Sequence, residues 1–381
     1  MKIIVAGYMV AYPLVGMSWG NLNFLLGLKK LGHDVWFLED SGEYLMPFDP
    51  VRQVTDADSG YGRRYVEETL ACFGLSGRWC YYSQFENKFY GLTESELDKL
   101  CRSADLFINV STVNPVRPMY AQARRKVAID TDPVFTQVRL ARGDEYLRGL
   151  YAPHDVCFTC GMFIGEPKCD IPTGGIAWRK MPLPTYLDFW RVAPPPPADA
   201  PFTTVMNWSS YKSAELNGRT YGQKDVEFDK LWDLPKRVAA PIELAIGRGA
   251  PEEKLRAHGW RLTNSVAKTQ TLDAYSAYIT GSRGELGITK NGYIAGRTGS
   301  FSDRSQLYLA SGRPVLAQET GFSDWLPTGE GLLVFNDIKS AVEGIERINH
   351  DYARHAAAAR RIAEEYFDSD KVLGAMLEAC G

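Results

Sequence analysis

Four consecutive prolines, Pro194–Pro197, divide the chain into two stretches that each alternate short apolar runs with helical periodicity. A proline run is stiff and extended, and neither a helix nor a central strand passes through it. Each side must therefore fold around its own core, and 381 residues suffice for two domains.

The first stretch opens with Lys-Ile-Ile-Val-Ala at 2–6, a short apolar run ending at Gly7, as a buried parallel strand does. Leu22, Leu25, Leu26 and Leu28 then mark a helix over 20–31 that stops at Gly32. Val35–Leu38 reads as the second strand and ends in Glu39 and Asp40. Strands follow at 106–110, 127–130 and 156–159, with a polar helix near 93–102. Beyond the prolines the alternation restarts, with strands at 202–206, 242–246, 314–317 and 332–335 and a weaker one at 286–289. Helices fall at about 251–257, 272–280, 303–311 and 338–348, and a helical region covers 350–380. Strand–helix–strand units of this kind predict parallel sheets with right-handed crossovers. The expected layout is an α/β domain over 1–193, a linker at 194–201, a second α/β domain over 202–360 and a C-terminal helix at 361–381 that packs back on the first domain. Ligands of such sheets bind beyond the carboxyl ends of the strands, so the loops there are the places to look for chemistry.

Composition narrows the partners. The formal net charge is -3, which gives no global attraction to nucleic acid or an anionic membrane. The seven cysteines are odd in number, the start reads as a core strand and not a signal peptide, and no run of about 18 apolar residues appears. The expectation is a cytoplasmic protein with free thiols and no membrane span. Cys157 and Cys160 have a CxxC spacing but no second pair, so they read as buried thiols. The histidines are scattered, and no metal site is expected.

Residues 296–334 carry a resemblance. A small-residue loop leads to a helix, then to Ala310-Ser311-Gly312-Arg313-Pro314-Val315 and later Gly329-Glu330-Gly331-Leu332-Leu333. This resembles the donor half of GT-B fold glycosyltransferases (the glycosyltransferase group 1-like C-terminal domain), and Gly32-His33-Asp34-Val35 resembles part of their acceptor half. The resemblance implies two Rossmann-like doubly wound domains facing a central cleft. It also implies metal-independent transfer of a sugar from a nucleoside-diphosphate sugar, UDP or dTDP, to a hydroxyl-bearing small molecule. No cofactor beyond that co-substrate is expected. Gly299 and Leu307 stand where many retaining members carry glutamates, so the resemblance does not carry the stereochemistry over. Two other readings stay open: a nucleotide-sugar epimerase on the same fold, and a DNA-modifying glycosyltransferase, which the acidic balance disfavours.

The residues supply their own reasons. A helix N-terminus offers unpaired N–H groups and partial positive charge to a diphosphate. Gly299, Ser300, Ser302 and Ser305 surround one, and Lys290, Arg297 and Arg304 add cations. Asn207, after the strand 202–206, joins this diphosphate set, and Lys224 is a further cation nearby. Gln306, Gln318, Glu319, Thr320, Gly321 and Glu285 are candidates for sugar or nucleoside contacts. Asp132 and Asp130, after the strand 127–130, are the candidate bases, ahead of Glu39 and Asp40. The segment from Gly7 to Gly20, with Tyr8, Gly16 and Trp19, reads as a long functional loop over the cleft. It lacks a GxGxxG pattern, so a nicotinamide cofactor is not expected.

Overall fold

The computed structural model describes residues 1–42, 46–247 and 249–381. In the first domain eight strands form one sheet. They are Lys2–Ala6 (β1), Asp34–Asp40 (β2), Trp79–Ser83 (β3), Lys88–Tyr90 (β4), Leu106–Val110 (β5), Arg125–Asp130 (β6), Val156–Thr159 (β7) and Trp178–Lys180 (β8), in the order β8-β7-β6-β5-β1-β2-β3-β4. All neighbours are parallel except the β3–β4 hairpin at one edge. In the second domain Phe202–Met206 (β9), Ile242–Ile246 (β10), Arg261–Asn264 (β11), Gly284–Gly287 (β12), Val315–Gln318 (β13) and Leu332–Phe335 (β14) form an all-parallel sheet, ordered β11-β10-β9-β12-β13-β14. Counted within its own domain, that order is 3-2-1-4-5-6, the doubly wound arrangement. Strand order reverses beside β1 in one sheet and beside β9 in the other, and ligand crevices form at such points. The inner strands are largely buried, β5, β7, β12 and β13 completely, which is why they appear as continuous apolar runs and not as alternation.

The first helix, Val15–Lys30 (α1), begins five residues before the sequence pattern places it. Gly16 and Gly20 do not interrupt it: Val15, Trp19 and Leu22 form a buried stripe, and that burial outweighs the poor helix propensity of glycine. The connecting loop is correspondingly shorter, and Gly16, Trp19 and Gly20 lie on the helix. The sequence reading also leaves out β3, β4, β8, β11 and the helix Gly60–Ala71.

The last helices cross between the domains. Asp303–Ala310 (α2) precedes β13. Tyr352–Ile362 (α3) runs into a π-turn at Ala363–Phe367, and Ser369–Cys380 (α4) follows. A Cβ on Gly27 of α1 would lie 2.5 Å from Leu373 and 2.7 Å from Ser369, so only glycine allows α4 to approach α1 this closely. Lys30 pairs with Asp370 at 3.0 Å along the same contact. The proline segment is pinned by Arg313, whose buried guanidinium donates to the carbonyls of Thr280 (2.6 and 2.9 Å), Pro194 (2.6 Å) and Ala193 (3.3 Å). Arg360 of α3 adds bonds of 2.7 Å to the carbonyls of Trp190 and Ala310.

Candidate active site between the two domains

The carboxyl ends of β1, β5, β6 and β7 face those of β9, β12 and β13 across a cleft of about 880 Å³. Thirteen sequence-predicted residues line it: Tyr8, Gly16 and Gly20 on one side, Asp132 at the junction, and Asn207, Lys224, Lys290, Ser300, Ser302, Arg304, Ser305, Gln318 and Thr320 on the other.

On the second domain's side, Arg304 sits in the first turn of α2 because Ser302 begins the helix with extended backbone. Its Nε donates to the buried Glu285 at 2.5 Å and its Nη1 to the Val205 carbonyl at 2.8 Å. Burial works to lower the Arg304 pKa, and Glu285 more than offsets this and raises it, so the guanidinium stays charged. Among the described residues only one Glu285 oxygen has a partner, and Oε2 is buried without one. Lys224 lines the same wall, and burial, Arg304 and Lys290 all push its pKa well down. Three basic side chains from three different elements thus crowd one surface, with Glu285 and Asp303 as the carboxylates nearby, and an incoming anion would favour the charged form of all three.

Lys290 reaches across the cleft. Its Nζ donates to Asp132 Oδ1 at 2.8 Å and to the Tyr211 hydroxyl at 2.5 Å, within 4.5–5.3 Å of the ring centroids of Tyr211, Phe135 and Tyr293. The hydroxyls of Tyr211 and Tyr293 also donate to the Asp132 carboxylate. Asp132 therefore joins its own domain to three side chains of the other. Burial, then the Asp132 charge, drives the pKa values of both tyrosines up, which keeps them neutral donors.

The structure places the other predicted residues elsewhere. Asp130 is buried beneath its loop and accepts from Gln137 (2.7 Å), Thr159 (2.7 Å), Thr136 (2.8 Å) and the Asp132 amide (3.1 Å). Burial raises its pKa, and no bond of its carboxylate leads into the cleft. Arg297 stands outside the cleft, with 55% of its side chain exposed and paired to Asp324 at 3.0 Å. Gln306 accepts from Thr185 at 2.9 Å in the interior. Glu319 folds back to accept the Gly321 amide at 2.5 Å. Glu285 is the counter-ion of Arg304. Gly299 turns the chain at φ 69°, where a Cβ would come within 2.8 Å of the Phe163 ring, and its amide donates to the Thr320 carbonyl at 2.8 Å. Gly7 and Gly321 likewise serve close packing, a Cβ on Gly7 falling 1.7 Å from Asn21 Oδ1. Trp19 lies in an aromatic core with Phe73, Phe189 and Trp190. Of the weaker candidates, Glu39 accepts the amides of Met9, Val10 and Ala11 at 2.6, 2.6 and 2.7 Å, and Asp40 pairs with Arg117.

The cleft also contains residues that the sequence reading passes over: Tyr12, Ser111, Thr131, Tyr211, Tyr293 and Asp303. Asp303, at the first position of α2, follows a serine in an N-cap pattern and was within reach of that rule. Lone loop tyrosines carry no periodic signal. Among the described residues no three His, Cys, Asp or Glu side chains are grouped to hold a metal ion, and no helix is long and apolar enough to cross a membrane.

Solved structures match this arrangement over the whole chain. Sucrose-phosphate synthase from Thermosynechococcus elongatus matches with a TM-score of 0.58 at 14% identity, covering 100% of this chain and 98% of that one. HepE of Anabaena in complex with UDP-glucose matches at 0.58 and 11% identity, covering 100% and 99%. An α-glucosyltransferase in complex with UDP and a 13-mer DNA containing an HMU base matches at 0.60 and 11%, again covering 100% and 99%. The chain has the GT-B fold. No family model matches it, and no curated protein matches it by sequence. The expectation of two Rossmann-like domains around a cleft, drawn from some forty residues near the α2 turn, describes the architecture of the whole molecule.

Proposed function

We propose that the protein is a glycosyltransferase. It binds a nucleoside-diphosphate sugar, UDP- or dTDP-linked, on the second domain and transfers the sugar, without a metal ion, to a hydroxyl of an acceptor on the first. The observation that carries this reading is the convergence of Lys224, Lys290 and Arg304 on one wall of the cleft, beside the serines that open α2. Three solved structures of the same fold support it: a sucrose-phosphate synthase, HepE in complex with UDP-glucose, and an α-glucosyltransferase in complex with UDP.

The chemistry follows from the groups present. The bond from the anomeric carbon to the β-phosphate oxygen breaks, and the nucleoside diphosphate leaves with the electron pair. Arg304, Lys224 and the hydroxyls of Ser300, Ser302 and Ser305 stabilise the developing charge. The acceptor oxygen bonds to the anomeric carbon, and its proton passes to the Asp132 carboxylate. Lys290, Tyr211 and Tyr293 occupy three of roughly four lone-pair positions on that carboxylate, which leaves room for one acceptor hydroxyl. A diphosphate that draws Lys290 toward itself would raise the proton affinity of Asp132, tying base strength to donor binding.

The test is calorimetric titration of UDP, dTDP, GDP, ADP and CDP into the protein, with release of free sugar from the matching nucleotide sugars followed with and without a chelator. Selective binding of UDP or dTDP, with chelator-insensitive release, is expected. No nucleotide binding at all would end the proposal.

A further inference from the structure

The acceptor face of the cleft differs from the donor face in charge. Among the described residues of the first domain that line the cleft, Asp132 is the only Asp or Glu, and none is Lys, Arg or His. Every lining cation, Lys224, Lys290 and Arg304, belongs to the second domain, where a donor diphosphate would engage it.

Two features take the place of charge. One is a chain of neutral hydroxyls. Ser111 bonds Thr131 at 2.7 Å, and Tyr8 lines the cleft with them, its hydroxyl influenced by Ser111. Ser111 and Thr112 both adopt left-handed backbone, φ 59° and 49°, at the point where the strand order of the first sheet reverses. Such conformations persist in ordinary residues only where the surroundings impose them, and they turn Ser111 into the cleft. Burial pushes the Tyr8 pKa up to about 12, so this hydroxyl remains a neutral donor across the physiological range. The other feature is an apolar shelf at the mouth. Tyr8 and Tyr12 meet edge-to-face with centroids 6.1 Å apart, and Met17, Phe48 and Leu183 continue the surface. Tyr12 is 39% exposed and Met17 41%, so this apolar surface stands open to an incoming molecule and is not part of the core.

A phosphate or carboxylate placed here would lose its hydration, meet the Asp132 carboxylate, and find no cation on its own side. A polyanion would meet the same wall. An uncharged molecule with an apolar body gains from covering the shelf, and its hydroxyls find partners in the Tyr8–Ser111–Thr131 chain.

We propose that the acceptor is a neutral small molecule, apolar in body and bearing a hydroxyl, and is neither a phosphorylated sugar nor a nucleic acid. This rests on the glycosyltransferase reading above. In the transfer, the acceptor oxygen displaces the nucleoside diphosphate at the anomeric carbon and its proton goes to Asp132, so no further reactant is needed.

The experiment uses the full chain and first records UDP binding and release of glucose from UDP-glucose in water. Absence of both would count against the glycosyltransferase reading and not against the acceptor class. With release established, matched acceptors are compared: 4-nitrophenyl β-glucoside, its 6-phosphate, and a short duplex carrying a hydroxymethylated pyrimidine. The neutral glucoside is expected to divert glucose from water into product. Its kcat/KM should exceed that of the phosphate by at least about tenfold and vary little with ionic strength. Met17→Lys, at an exposed position, adds the missing cation and should raise kcat/KM for the phosphate by about tenfold while leaving the neutral acceptor ahead or level. Preference for the phosphate or the duplex in the unaltered protein would overturn the assignment. So would product formation that falls steeply with salt, or a neutral acceptor that leaves the fate of the glucose unchanged.

Discussion

On the second domain's side of the cleft, three cations and a row of serines surround the start of α2, and one of those cations is locked to a buried glutamate. On the first domain's side the same kind of sheet ends in hydroxyls, aromatic rings and a single carboxylate. Both walls come from doubly wound sheets, and both ligand positions sit where strand order reverses. Under the proposed transfer, the difference divides the labour of two substrates within one architecture. The wall that must hold a diphosphate has fixed chemistry, because phosphate oxygens always require cations and N–H groups. The wall that must hold an acceptor is free to vary with the acceptor.

The contrast is most exposed at Asp132, the one charge on the first domain's wall and the partner of Lys290 on the other. Asp132→Asn keeps the shape and removes the proton acceptor. Transfer should fall by about 10²–10⁴-fold. UDP affinity should hold or rise, because Lys290 loses a competing anion. Loss of UDP binding in parallel with turnover would mean that Asp132 serves only to brace the two domains. Turnover and nucleotide titration on the same preparation separate these outcomes.

Arg304→Met tests the other wall. Loss of a charge-assisted donor to the leaving group should lower kcat by about 10²–10³-fold and weaken UDP binding. It also strands Glu285, which is buried and already has one unpartnered oxygen, so a drop in thermal midpoint should accompany it. The double change Arg304→Met with Glu285→Gln should restore much of that midpoint without restoring turnover. If turnover returned with stability, Arg304 would be a structural residue and the charge asymmetry of the two walls would lose its functional meaning.

The same asymmetry governs what the sequence discloses. The second domain's wall is legible because its features are local: small residues before a helix, a lysine after a strand, and Ala310-Ser311-Gly312-Arg313-Pro314-Val315 leading into β13. Even there, Arg297 and Arg304 look alike in the sequence. Only the fold shows that a turn at φ 45° carries Arg297 out to Asp324 while the first turn of α2 carries Arg304 into the cleft. The pair Asp130 and Asp132 poses the same difficulty. Asp130, still on β6, is buried among Gln137, Thr159 and Thr136, whereas Asp132, two residues on and past the strand, reaches the cleft; their spacing does not tell which is which. The acceptor wall is nearly silent. Tyr8 and Tyr12 come from one loop, Ser111 and Thr131 from two others, and Tyr211 from a segment of the second domain far along the chain. No spacing rule links residues that only the tertiary fold assembles. The sequence pattern starts helix α1 late because its glycines look like a loop, and the buried stripe from Val15 to Leu22 that outweighs them belongs to the tertiary packing.

The two walls keep their relation through Arg313, which gathers three carbonyls of the linker and the helix Leu272–Thr280. Arg313→Leu leaves those buried carbonyls without donors and should cost about 2–3 kcal/mol, read as a lowered urea midpoint. Because the linker loses its anchor, acceptor KM should rise more than UDP affinity falls. Equal effects on both would show that the linker only contributes stability and does not set the spacing of the walls.

The smallest expected effect lies beneath the acceptor wall. Glu39 accepts three amides of the loop that carries Tyr8 and Tyr12, and it is completely buried. Burial pushes its pKa up to about 7 against an ordinary 4.5, while the three amides pull the other way. Between those two pH values the folded chain holds a proton that the unfolded chain has released. Stability from this group is therefore full below pH 4.5 and is lost as the pH rises through about 7. Glu39→Gln removes the titration, so the thermal midpoint of the variant should drift less between pH 5 and 8, by roughly two degrees. Both proteins share every other titrating group, and the difference between their pH curves isolates this one. Parallel curves would place the Glu39 charge in a more polar setting than its burial suggests. The loop of the first wall would then be held by the amides alone.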